Sequence, residues 1–139
     1  MDGYFFEDLS LGQSASFAKT ITEADILLFA AVSGDTNPVH INAEAAAASM
    51  FKERIAHGML SASLISTVLG TRLPGAGTIY LGQNLKFKEP VRIGQTVTAT
   101  VVVTALDAAK KRVTLSTTCT VEAKAVIEGE AIVMVQSRP

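Results

Sequence analysis

Two periodicities divide this chain. Up to roughly residue 73 its apolar residues recur at helical spacing, and beyond residue 78 they alternate with polar ones. Ser14 to Thr20 is a candidate opening strand. Thr22 then stands as a helix N-cap, with Glu23 and Asp25 in the first turn, where the helix dipole favours acids. Ile26, Leu27, Phe29, Ala30 and Ala31 give that helix a broad apolar stripe, and Gly34 is placed to end it. Gly34 to Ile41 reads as a loop, because Pro38 disfavours helical geometry at Asn37. Asn42 caps a short alanine-rich helix running to about Met50. Gly58 opens a longer helix that Leu73-Pro74-Gly75 ends. Leu60, Leu64 and Val68 form its stripe, Ile65 and Leu69 lie beside it, and Ser61, Ser63 and Thr67 lie off it.

The second half predicts four strands. Ile79, Leu81, Leu85 and Phe87 share one face, opposite Tyr80, Asn84, Lys86 and Lys88. Val97, Ala99, Val101 and Val103 share a second, and Val113, Leu115, Thr117, Cys119 and Val121 a third. Ile127 to Val135 supplies the last. Short polar or glycine-containing turns link them, so the sheet is expected to be mainly antiparallel. A sheet with one apolar face needs a cover, and the Gly58–Leu73 helix is the candidate. The predicted class is α+β: a curved antiparallel sheet around one central helix, in a single domain over residues 1–139.

Composition narrows the function classes. With 139 residues, 48% of them hydrophobic and 18% charged, the chain can bury a core and fold. A net charge of −1 gives no electrostatic reason to bind nucleic acid or an anionic membrane. One cysteine, Cys119, excludes an intrachain disulfide and suits a reducing compartment. The first residues carry acids where a signal peptide carries bases, and the most apolar helix is about half a membrane span. A soluble cytoplasmic protein is the expectation.

The chemistry concentrates in Asp35-Thr36-Asn37-Pro38-Val39-His40. A carboxylate and an imidazole sit within five positions around a stiff proline turn, a pair suited to general acid–base work. The same residues also build ordinary loops, in which His40 is only a polar surface group. The second of the two histidines, His57, precedes Gly58 at the start of the long helix. Free N–H groups there could polarise a carbonyl, with glycine admitting it closely; equally, backbone geometry alone could demand the glycine. No cluster of metal ligands has the usual spacing, Cys119 reads as a packing residue, and Ser66 lacks a nucleophile elbow.

Ser33-Gly34-Asp35-Thr36-Asn37-Pro38-Val39-His40 resembles the hydratase-2 signature of the MaoC-like family. Ile55-Ala56-His57-Gly58-Met59 resembles that family's second recurrent segment, and Tyr80-Leu81-Gly82-Gln83 with Phe87-Lys88-Glu89-Pro90 the strand that follows. The similarity spans nearly the whole chain and is nearest to small (R)-specific enoyl-CoA hydratases of polyhydroxyalkanoate synthesis. It implies a hot-dog fold, a homodimer, and hydration of trans-2-enoyl-CoA to (R)-3-hydroxyacyl-CoA. Asp35 and His40 would activate water, the Gly58 N–H would bind the thioester oxygen, and Ser66 would support the site. Asn37 and His57 are further candidates for the binding site. CoA enters as part of the substrate, and neither metal nor other cofactor is implied. Two alternatives stand beside this: a 3-hydroxyacyl-(acyl-carrier-protein) dehydratase, and a non-catalytic acyl-CoA-binding module. Phe51, Met59 and Leu69 are bulky enough to close an acyl tunnel early, which predicts a short to medium chain preference.

Overall fold

The computed structural model describes residues 2–139. A 3-10 turn at Phe6–Asp8 leads into β1 (Ser14–Thr20). Four helices follow: α1 (Glu23–Ser33), α2 (Pro38–Ile41), α3 (Ala43–Ala47) and α4 (Gly58–Thr71). The chain then runs through β2 (Ile79–Phe87), β3 (Thr96–Asp107), β4 (Arg112–Val121) and β5 (Lys124–Met134). The five strands pair antiparallel in the order β1-β3-β4-β5-β2. The concave face of the sheet holds α4 against β1, β3 and β4. This is the hot-dog arrangement.

Strict alternation builds the centre of the sheet. Val97, Ala99, Val101 and Val103 on β3 and Val113, Leu115, Cys119 and Val121 on β4 are buried, together with Ile65, Val68 and Leu69 of α4. Each large side chain so buried contributes about 1.5–3 kcal/mol. Thr117 falls on the same dry face, where Gln83 Nε2 donates to its Oγ1 at 2.9 Å. Burial pushes the Cys119 thiol up to about 12, so it packs as a thiol, with Sγ–H directed at the Ser61 carbonyl.

Several expectations need correction. The Gly34–Ile41 stretch is not all loop: α2 occupies Pro38–Ile41, because Pro38 at its first turn needs no N–H partner and the Asn37 side chain caps it. The alanine-rich helix ends at Ala47, not Met50, and the long helix at Thr71, not Leu73. Ser61 is buried, although the helical spacing put it off the apolar stripe. On α1 only Ile26 and Ala30 are buried, while Leu27, Leu28 and Val32 face outward. On β2 a register shift between Tyr80 and Gly82 breaks the predicted face: Leu81 is the extra residue, and Ile79, Leu81 and Phe87 are exposed. β5 begins at Lys124 rather than Ile127 and ends at Met134.

Candidate active site

The turn that follows α1 is specified residue by residue. Thr22 accepts from the Asp25 N–H while Asp25 accepts from the Thr22 N–H, which sets the start of α1. At the other end Gly34 adopts φ 77°, a left-handed cap that releases the chain. Two side-chain turns follow in succession. Asp35 Oδ1 accepts from the Asn37 N–H and Asn37 Oδ1 accepts from the Val39 N–H, each at 3.2 Å. Asn37 therefore acts through its side chain as the cap of α2. α2 then carries His40 inward.

His40 is buried, contrary to its reading as a loop or surface residue. Its Nδ1 lies 2.8 Å from the Ile55 carbonyl. A carbonyl can only accept, so Nδ1 carries the hydrogen and Nε2 keeps a lone pair. Arg54 holds this turn from behind: its Nε donates to the His40 carbonyl at 2.7 Å, and its Nη1 pairs with Glu23 of α1 at 2.6 Å. His57 is buried as well. It caps α4 through its backbone, places Nε2 2.9 Å from the Asp35 carbonyl, and stacks on His40 at 4.0 Å between ring centroids.

Asp35, His40, His57, Gly58 and Ser61 line one cavity of about 480 Å³, whose apolar walls include Phe51, Met59, Phe87, Val91 and Ile127. No side chain caps the α4 N-terminus, so its first N–H groups remain open to a ligand. Gly58 leaves room for the Phe87 ring beside it: a Cβ would come within 2.7 Å of two ring carbons of Phe87 unless that ring moved. Lys88 stands at the rim and pairs with Glu128 at 3.2 Å; Lys86 is not part of it.

Ligand atoms of Asp35, His40 and His57 lie within 4.8 Å of one another. The His40 and His57 rings stack with an inclination of 29°. The trio can bind a small polar molecule and exchange protons with it. Ser66 stands apart: it is exposed and lines a neighbouring groove with Phe29, Tyr80 and Gln83. Leu69 is sealed in the core and does not line the cavity. Ser61, Arg54, Phe87 and the Ile55 carbonyl were not expected at the site. A lone arginine in a polar connector, or a backbone carbonyl, carries no signal of its role in the sequence.

A hot-dog sheet around a central helix, with an Asp-x-Asn-Pro-x-His turn facing the helix N-terminus, defines an acyl-thioester hydratase type of scaffold. Residues 9–126 match the family model described as the MaoC like domain, and the chain belongs to that family. It is 66% identical over 135 residues to an (R)-specific enoyl-CoA hydratase of Rhodospirillum rubrum, covering 97% of this chain and 94% of that protein. Among solved structures, the (R)-hydratase of Aeromonas caviae involved in PHA biosynthesis superposes with a TM-score of 0.90. That match has 45% identity and covers 93% of this chain and 98% of the other. A mitochondrial 3-hydroxyacyl-(acyl-carrier-protein) dehydratase of Solanum lycopersicum is 36% identical, covering 93% of this chain and 79% of its own length.

Proposed function

We propose that the chain catalyses the reversible (R)-specific hydration of trans-2-enoyl-CoA to (R)-3-hydroxyacyl-CoA. Asp35 and His40 are the catalytic pair, and the Gly58 N–H is the donor to the thioester oxygen. The observation that carries this reading is a convergence. A free imidazole nitrogen, a carboxylate and an uncapped helix N-terminus meet on one largely apolar cavity.

The chemistry follows from the free atoms. Asp35 orients a water, and His40 Nε2 takes one of its protons as the oxygen adds to C3. The double-bond electrons move toward the thioester, whose oxygen gains charge beside the Gly58 N–H, where a fixed dipole stabilises it most. The imidazolium then delivers the proton to C2 from the same side. One water is divided between C3 and C2, the residues return to their starting states, and no redox equivalent or metal enters the balance. CoA is part of the substrate.

The test follows the absorbance of crotonyl-CoA with purified protein, and of crotonyl-acyl-carrier protein in parallel. Faster turnover of the CoA thioester is expected. A reversed ratio favours the carrier-protein dehydratase, and binding without turnover favours a non-catalytic module. Phe51 and Met59 in the cavity wall favour short to medium chains, so equal turnover of C4 and C12 substrates would remove that preference.

A homodimer in the cytoplasm completes the reading. β2 is an edge strand with Ile79, Leu81 and Phe87 exposed, the kind of edge proteins cover. Light scattering that finds only the 14.6 kDa monomer at micromolar concentration contradicts it.

A further inference from the structure

We propose that His57 is a positioning residue for this hydration: it holds Asp35 in working geometry through the Asp35 backbone, using one fixed tautomer. The proposal rests on the catalytic reading of Asp35 and His40 given above.

His57 touches both halves of the pair. Its Nε2 lies 2.9 Å from the Asp35 carbonyl, and its ring lies face to face with His40 at 4.0 Å. Phe29 closes on the ring at 4.9 Å, tilted by 51°. Because a carbonyl has no hydrogen to give, Nε2 must carry one, and the neutral ring then keeps its lone pair on Nδ1. The other tautomer would set a lone pair against the carbonyl oxygen and release Asp35. His57 also leads straight into Gly58, so one residue joins the water-activating turn to the helix end facing the thioester.

A second, independent observation bears on the tautomer. His57 Nδ1 and Ser61 Oγ are both buried without a protein partner, and both residues line the same cavity. A helical serine or threonine usually resolves its hydroxyl by donating back to a carbonyl three or four residues earlier. Ser63, Thr67 and Thr71 of α4 all do so, to Leu60, Ser63 and Thr67. Ser61 does not. Its hydroxyl stays available as the donor that a lone pair on Nδ1 requires, with a water between them where the direct reach is too long. Moving the hydrogen from Nε2 to Nδ1 would lose that acceptor and the carbonyl bond together.

The test separates this role from packing. Nitrogen NMR of the wild-type protein is expected to show His57 as the Nε2–H tautomer. His57→Phe keeps an aromatic ring against His40 and Phe29 but removes the N–H. It is expected to lower kcat by about 10²-fold, the scale of a small misplacement of a reacting group, with KM changed less than about threefold. His57→Gln can present an amide N–H to the same carbonyl and is expected to recover at least tenfold of that loss. A wild-type Nδ1–H tautomer, a phenylalanine variant within about tenfold of wild-type kcat, or a glutamine variant no better than phenylalanine overturns the proposal. If His57→Phe does not fold, the wild-type tautomer decides. The NMR result does not depend on turnover, so wild-type protein inert on enoyl thioesters sinks the hydratase reading and leaves this measurement standing.

Discussion

In the segment from Ser33 to Ile41, what holds the chain is hydrogen bonding. Ser33 donates back to Phe29, Asp35 and Asn37 each accept from an N–H two residues on, and His40 is tied to Ile55. In β3 and β4, each roughly 30–40 Å of strand at ordinary rise per residue, what holds it is the dry face: valines, Leu115 and Cys119 sealed against α4. The first arrangement fixes where lone pairs point and buries little. The second buries much and accepts any apolar group of similar volume and shape. Activity and stability should therefore separate between the two regions.

The largest effect is expected at the turn. Asp35→Asn removes the carboxylate charge while keeping its shape, and His40→Gln removes the imidazole. Each should cost about 10²–10⁴-fold in kcat, and the double variant should be little worse than the worse single one. Asp35 is exposed, so its variant should melt within a few degrees of wild type. His40 is buried and bonded to Ile55, so some loss of stability is expected there, which makes Asp35→Asn the cleaner experiment. An Asp35→Asn protein keeping more than about a tenth of wild-type kcat, well above the usual residue of activity, breaks the assignment.

The reciprocal change is Leu115→Ala. Leu115 is fully buried between sheet and helix, and truncation should cost about 2–5 kcal/mol of unfolding free energy. The fraction still folded should turn over at the wild-type rate. A large drop in kcat in denaturant-free, fully folded protein would show that the two regions are coupled.

Gly58→Ala lies between them. The new methyl meets the Phe87 ring at 2.7 Å, but that ring is half exposed and can swing into the cavity. The N–H itself survives. KM for the enoyl thioester should rise, with kcat/KM falling by less than the roughly 10²–10³-fold that loss of an oxyanion donor costs.

The smallest effect is at the start of α1. Thr22→Ala removes a cap worth about 1 kcal/mol and should leave kcat alone. Lys19, followed by the Thr22 N–H, holds the Asp25 carboxyl below its ordinary value of 3.8. A depressed carboxylate stabilises the fold above that value and loses its contribution as pH falls through and below it. Asp25→Asn should therefore flatten the fall in melting temperature below about pH 4, and an unchanged acid limb would remove Asp25 from the account.

The chain's own order of residues determined most of the scaffold. Alternation in β3 and β4, the Thr22 cap and the Gly34 stop are local, because period, dihedral preference and side-chain turns act within a few residues. The Asp35-x-Asn37-Pro38-x-His40 spacing was legible for the same reason. The tertiary structure decided what those groups can do. His40 has its free nitrogen on Nε2 only because Ile55, fifteen residues on, offers a carbonyl to Nδ1. His57 faces Asp35 across a separation of twenty-two residues, and Ser61 is buried in the wall of the same cavity. Leu81 lost its predicted face to a bulge set by pairing with β5. A histidine's tautomer and a serine's burial depend on atoms brought from elsewhere in the chain, and no local period encodes where those atoms arrive.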